Sequence, residues 1–156
     1  MIGVGEQAPD AQLWIGPRQE ARLHDLTAPG EGMLLLFYLF DWSATCTNEL
    51  LLLRDRRAEL EEAGFAPFGV SRDSPWSHIA WREALDLDVP LLSDWNGEAT
   101  QAFGIAHEYR GLKDVSERSA FLLDGDRIVR WTRRYEPGEV PDLDELVDAA
   151  RGLVTA

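Results

Sequence analysis

The chain is 156 residues long, 45% hydrophobic and 28% charged, so residues 1–156 are expected to form one domain whose core needs no disulfide or metal staple. Its formal charge is −13, with Lys113 the only lysine among 15 basic residues, a field that repels nucleic acid and anionic membrane. The single cysteine rules out an internal disulfide, and no apolar run approaches the ~18 residues of a membrane span.

The opening MIGVGEQAPD has no basic region, apolar stretch or cleavage site, so no signal peptide is expected and a cytoplasmic location is the default. Residues 11–15 and 20–24, AQLWI and EARLH, predict a hairpin about the turn GPRQ. Met33 to Phe40, MLLLFYLF, is short for a helix and suits a strand covered on both faces. Residues 44–63 predict a helix, with Ser43 as its cap and Leu50, Leu53 and Leu60 on one stripe. FAPFGVS, from Phe65, is a second buried strand. SPWSHIAWREAL then begins a helix, with Ser74 capping and Pro75 at the first helical position. VPLLSD is a third short strand and NGEATQAFG a short helix. SAFLLD and RIVRWTRRY form a hairpin about GD, and Asp142 to Leu153 closes the chain as an amphipathic helix. This order implies an α/β fold with a mixed central sheet flanked by helices and an N-terminal β-hairpin, as in a thioredoxin-like fold.

Cys46, in FDWSATCTNEL, falls just beyond the Met33–Phe40 strand and in the first turn of the next helix. Strand ends of that kind are where open α/β sheets bind ligands. A helix's first turn also offers unpaired N–H groups and a positive dipole, which favour a thiolate, the nucleophilic form of cysteine. Against this, Cys46 shares the apolar stripe of Leu50, Leu53 and Leu60, and free cysteines are commonly inert core residues. Position favours reactivity, periodicity favours packing, and spacing alone leaves both open.

The segment FYLFDWSATCTNEL resembles the active-site loop of peroxiredoxins, whose pattern is Pro-x-x-x-Thr/Ser-x-x-Cys with a glutamate three residues on. Ser43 and Glu49 hold the flanking positions. The likeness continues in register through GEQAPDAQL, GVSRDSPWSHIAW, PLLSDWNGEATQAFGI and ERSAFLLDGDRIVR. It is greatest to the bacterioferritin-comigratory and alkyl hydroperoxide reductase E groups. One position departs: Leu39 stands where the family has proline, and leucine fills volume without fixing φ.

The resemblance implies a thiol-dependent peroxidase in which Cys46 attacks a hydroperoxide and becomes sulfenic acid. Ser43, the Cys46 backbone N–H and Arg118 would orient the peroxide, the guanidinium favouring the thiolate and the developing oxyanion. The bland reading of Arg118 is a surface pair with Glu117. Glu49 is expected to support the loop, and Leu39 and Trp42 to line or shield the site. No cofactor is implied. Leu51 occupies the position of the resolving cysteine found in some relatives, so an external thiol must complete the cycle: thioredoxin, glutaredoxin or a small thiol. A homodimer is also implied.

Other groups look plainer. His24, His78 and His107 have no metal-ligand spacing, and His78 is expected as a packing or surface residue. Trp42, Trp76, Trp81 and Trp95 are candidates either to line a pocket or to fill core and interface, with core filling the expectation. The acidic surface fits salt adaptation or an arginine-favouring genome equally well. A redox sensor or binding module on the same fold is the alternative function, while a disulfide reductase is opposed by the lack of a Cys-x-x-Cys pair.

Overall fold

A computed structural model describes residues 1–154. Its frame is a seven-stranded sheet in the order β2-β1-β5-β4-β3-β8-β9. The three central strands are β3 (Gly32–Phe37), β4 (Phe65–Ser71) and β5 (Leu91–Ser93), mutually parallel. Antiparallel strands extend both sides: the hairpin β1 (Gln12–Gly16) and β2 (Gln19–Arg22) next to β5, and β8 (Ser119–Leu123) with β9 (Val129–Arg134) next to β3. The sheet is thus mixed, as the element order implies.

The apolar run at β3 is unbroken because both of its faces are covered. Leu34, Leu36 and Tyr38 point into one core with Leu50, Leu53, Leu60, Trp81 and Leu146 from the helices. Met33, Leu35 and Phe37 point into the opposite core, where Phe37, Phe103 and Phe121 stack at centroid separations of 5.1–5.8 Å. Full burial of each such side chain stabilises the fold by about 1.5–3 kcal/mol. The strand ends at Phe37, three residues short of the expected boundary, although the Tyr38 N–H still donates to the Val70 carbonyl.

The expected helix over 44–63 is two helices, α1 (Ala44–Asp55) and α2 (Arg57–Glu62), separated at Arg56. The break carries no glycine or proline. The Arg56 side chain bonds Glu59 and, across the fold, Asp144, and α2 packs on β4 and the last helix. Gly69 lets α1 sit close to the sheet, since a Cβ there would lie 3.1 Å from Leu50 and 2.7 Å from Leu91. Helix α3 (Pro75–Leu85) starts as expected, with the Ser74 hydroxyl accepting from the Ser77 N–H, and α4 (Glu98–Ala102) covers the opposite face. The last helix, α5 (Leu143–Val154), buries Leu143, Leu146, Val147 and Ala150. A separate two-stranded hairpin, β6 (Ala106–Tyr109) and β7 (Leu112–Ser116), has no counterpart among the predicted elements. Its strands mix polar and apolar residues and are largely exposed or half-exposed, with only Val115 and Ser116 buried, so they carry little of the apolar alternation that reveals a strand.

Candidate active site

Register brings the distant residues together. Phe37 of β3 pairs with Ser119 of β8, so Arg118, just before β8, lies beside the place where the chain leaves β3 for the loop to α1. The loop, residues 39–43, is held firmly. Asp41 is buried and accepts from the Tyr38 hydroxyl at 2.6 Å and the Ser77 hydroxyl at 2.8 Å, and its other neighbour is His78 Nδ1 at 2.8 Å. The Asp41 backbone N–H donates to Asp73 at 2.9 Å. Burial, reinforced by Asp41, pushes the Tyr38 hydroxyl well above its ordinary range, so it stays a donor. His78 Nε2 faces the Leu92 carbonyl at 3.2 Å, an acceptor only, so this nitrogen carries hydrogen. His78 is therefore buried, as the packing side of the expectation had it, and it also anchors the loop through its bonds.

Between Asp41 and the Ser43 cap, Trp42 is forced to φ 72°, a left-handed conformation that costs about 1–2 kcal/mol in a residue of this type. Its side chain is 58% exposed. Trp76 and Trp95 are exposed too, lining a groove with Trp14 and Pro75, and only Trp81 of the four fills core. The core-filling expectation thus fails for three of four tryptophans. Periodicity does not reveal which aromatic side chains a tertiary fold leaves uncovered.

Cys46 follows in the first turn of α1, with no exposed surface. Its backbone N–H donates to the Ser43 Oγ at 3.3 Å, so these two groups, both expected to face peroxide, bond each other. Arg118 is 5% exposed and reaches the sulfur: Nη2 donates to Cys46 Sγ at 3.1 Å, Nη1 to Glu49 Oε2 at 2.5 Å, and Nε to the Pro137 carbonyl at 2.8 Å. The alternative, a surface pair with Glu117, is not found among the described residues; Glu117 bonds Arg134 at 2.8 Å. A guanidinium clamped on three sides has a fixed orientation and sets its positive charge against the sulfur.

Glu49 is fully buried one helical turn after Cys46. Its contact with Arg118 has the geometry of an ion pair, yet burial outweighs the guanidinium's pull and raises the carboxyl to about 8. Glu49 Oε1 and the Tyr135 hydroxyl are buried without a hydrogen-bond partner among the described residues. Tyr135 and Pro137 were not singled out from sequence, and nothing in their local pattern distinguishes them. A cavity of about 290 Å³ opens against Arg118, lined also by Leu39, His107, Tyr109, Tyr135 and Pro137. Leu39, in the family's proline position, is half-buried between this cavity and the core.

Comparison with known proteins shows the family. Residues 4–132 match the family model described as "AhpC/TSA family". The alkyl hydroperoxide reductase E of Mycobacterium bovis and that of Mycobacterium tuberculosis are each 32% identical over 155 residues, covering 98% of this chain and 99% of theirs. Among solved structures, peroxidoxin BcpB from Mycobacterium tuberculosis superposes with a TM-score of 0.84 at 25% identity, over 98% of this chain and 99% of that one. The bacterioferritin comigratory protein of Xanthomonas campestris gives 0.82 at 26% identity, over 97% and 99%. The chain belongs to the AhpC/TSA family: it is a peroxiredoxin, a thiol-dependent peroxidase of thioredoxin-like fold.

Proposed function

We propose that Cys46 is the peroxidatic sulfur, with Arg118 as its electrostatic partner and Ser43 as the hydroxyl that sets the first turn. The thiolate attacks one oxygen of a hydroperoxide; the S–O bond forms, the O–O bond breaks, and the departing alkoxide or hydroxide takes a proton. Cys46 is left as sulfenic acid. The donor that carries this reading is Arg118 Nη2, 3.1 Å from the sulfur. It stabilises the charged nucleophile, and it stands where charge moves onto oxygen. Oxidation of a sulfur with no exposed surface requires a lining group to yield, and Leu39 is the one that the 39–43 loop contributes to the cavity.

An external thiol, from thioredoxin, glutaredoxin or a small molecule, condenses with the sulfenic acid and releases water. A second thiol then regenerates Cys46, since the chain has no other cysteine. We further propose that the chain acts as one domain and assembles as a homodimer. The exposed Trp42, Trp76 and Trp95 offer apolar surface for a second copy. A cytoplasmic setting fits a working free thiol, and among the described residues no helix is long and apolar enough to cross a membrane.

The test is stopped-flow tryptophan fluorescence of reduced protein mixed with hydrogen peroxide, beside Cys46→Ser. Rapid stoichiometric oxidation in the wild type alone, with sustained turnover once a thiol is added, is the expected result. Oxidation no faster than that of a free thiol would overturn it.

A further inference from the structure

One guanidinium in this site serves two acids. Arg118 donates to Cys46 through Nη2 and to Glu49 through Nη1, while its third donor, Nε, is tied to the Pro137 carbonyl. Sulfur and carboxyl are both sealed from solvent, at 0% exposure. A thiolate and a carboxylate together would leave a net negative charge in the dry interior beside a single cation, and interiors strongly disfavour such a charge. Among the described residues no second cation lies at hydrogen-bond distance of either acid. Tyr135, from the loop after β9, has a buried hydroxyl without a partner among the described residues, and burial raises it above its ordinary range. Arg133 lies over the Tyr135 ring and bonds Glu139 and Glu145 instead.

Two buried acids share one counter-ion, and only one of them can be charged without leaving the site negative. The arrangement that leaves the site neutral and the sulfur reactive is a thiolate with an uncharged Glu49. In that form Oε2 accepts from Arg118, and the unpartnered Oε1 is the oxygen that carries the proton. Burial without a second donor holds the carboxyl in this form near neutral pH.

Oxidation inverts the balance. When the thiolate becomes an uncharged sulfenic acid, Arg118 loses its counter-ion. Glu49 then gains by ionising in its place, and the released proton balances the one that the departing oxygen must take.

We propose, building on the peroxidase reading above, that Glu49 is a positioning residue acting through Arg118: it stores a proton while Cys46 is charged and releases it as the sulfur is oxidised. Written in full, neutral Glu49, Cys46 thiolate and ROOH become ionised Glu49, Cys46 sulfenic acid and ROH. The total charge is unchanged, and no contact between Glu49 and the peroxide is required.

The experiment counts protons. Reduced wild type and Glu49→Gln are each mixed with a slight excess of hydrogen peroxide in weak buffer at neutral pH. A pH-indicator dye reads proton uptake, and tryptophan fluorescence reads oxidation. Close to zero protons taken up per sulfur oxidised in wild type, and close to one in Glu49→Gln, is the expected result. One proton taken up by the wild type overturns the proposal, and this arm needs no variant to fold. Zero in both proteins overturns it equally, because the balance is then independent of Glu49. The oxidation rate provides a second readout. It should fall roughly tenfold per pH unit above about pH 8 in wild type, as ionised Glu49 captures Arg118, and stay level in Glu49→Gln; an identical fall in both sinks the proposal. If the wild type is not oxidised at all, the peroxidase reading is what has failed, and this inference falls with it.

Discussion

Two buried polar clusters flank the loop that leads to Cys46, and they differ in completeness. Around Asp41, both carboxylate oxygens are engaged, by Tyr38, Ser77 and His78, and the backbone is tied to Asp73. Around Arg118, one oxygen of Glu49 and the hydroxyl of Tyr135 are left without partners among the described residues. A satisfied buried network fixes geometry; an unsatisfied one leaves free energy that a change of charge can release. The contrast divides the labour. The Asp41 cluster holds the loop, strained Trp42 included, while the Arg118 cluster is poised to change its protonation.

Substitutions on the two sides should therefore behave differently. The largest effect is expected from Arg118→Met, which removes the donor to sulfur. Oxidation by hydrogen peroxide should slow about 10²–10³-fold in stopped-flow fluorescence, and a rate within a factor of about three of wild type would take Arg118 out of the site. On the other side, Asp41→Ala strands His78, Tyr38 and Ser77 together and should lower stability by about 3–5 kcal/mol in urea unfolding. A loss below ~1 kcal/mol would mean that the network does not anchor the loop.

The tyrosines give a paired comparison at lower magnitude. Tyr38→Phe deletes a hydroxyl that donates to Asp41 and should cost about 1–2 kcal/mol, whereas Tyr135→Phe deletes a hydroxyl with no partner and should be neutral or stabilising. Equal losses in both would erase the distinction between the clusters. The last contrast is read as a slope with pH. Glu49 is raised in the folded state from 4.5 to about 8, so between those values the folded protein binds more protons than the unfolded chain. Its contribution is fully present below pH 4.5, is lost as pH rises toward 8, and levels off beyond. The midpoint of urea unfolding should fall across that window more steeply in wild type than in Glu49→Gln; parallel profiles would contradict the raised value.

Much of this was legible from sequence where the signal is local. MLLLFYLF announces a strand with both faces covered because side chains alternate between two cores. Ser43 and Ser74 announce helix starts because a hydroxyl three residues before an unpaired N–H can cap it. Where the local signal is weak or missing, tertiary contacts decide. The interruption at Arg56, whose side chain bonds Glu59 and distant Asp144, carries no glycine or proline signal, and the β6–β7 hairpin has too little apolar alternation to show a period. Trp42, Trp76 and Trp95 are no different in type from buried Trp81, and only packing separates them.

By itself, then, the sequence determined the α/β order, the placing of Cys46 at the start of a capped helix and, through its motifs, the peroxiredoxin resemblance that singled out Arg118. The tertiary structure alone decided that Arg118 turns inward to the sulfur, that Glu49 shares it while sealed from water, and that His78 and Asp41 brace the loop. The physical reason is range. Periodicity and capping act within a few residues, but Arg118 and Cys46 are 72 positions apart, and the register of β8 on β3 is what brings them to one end of the sheet.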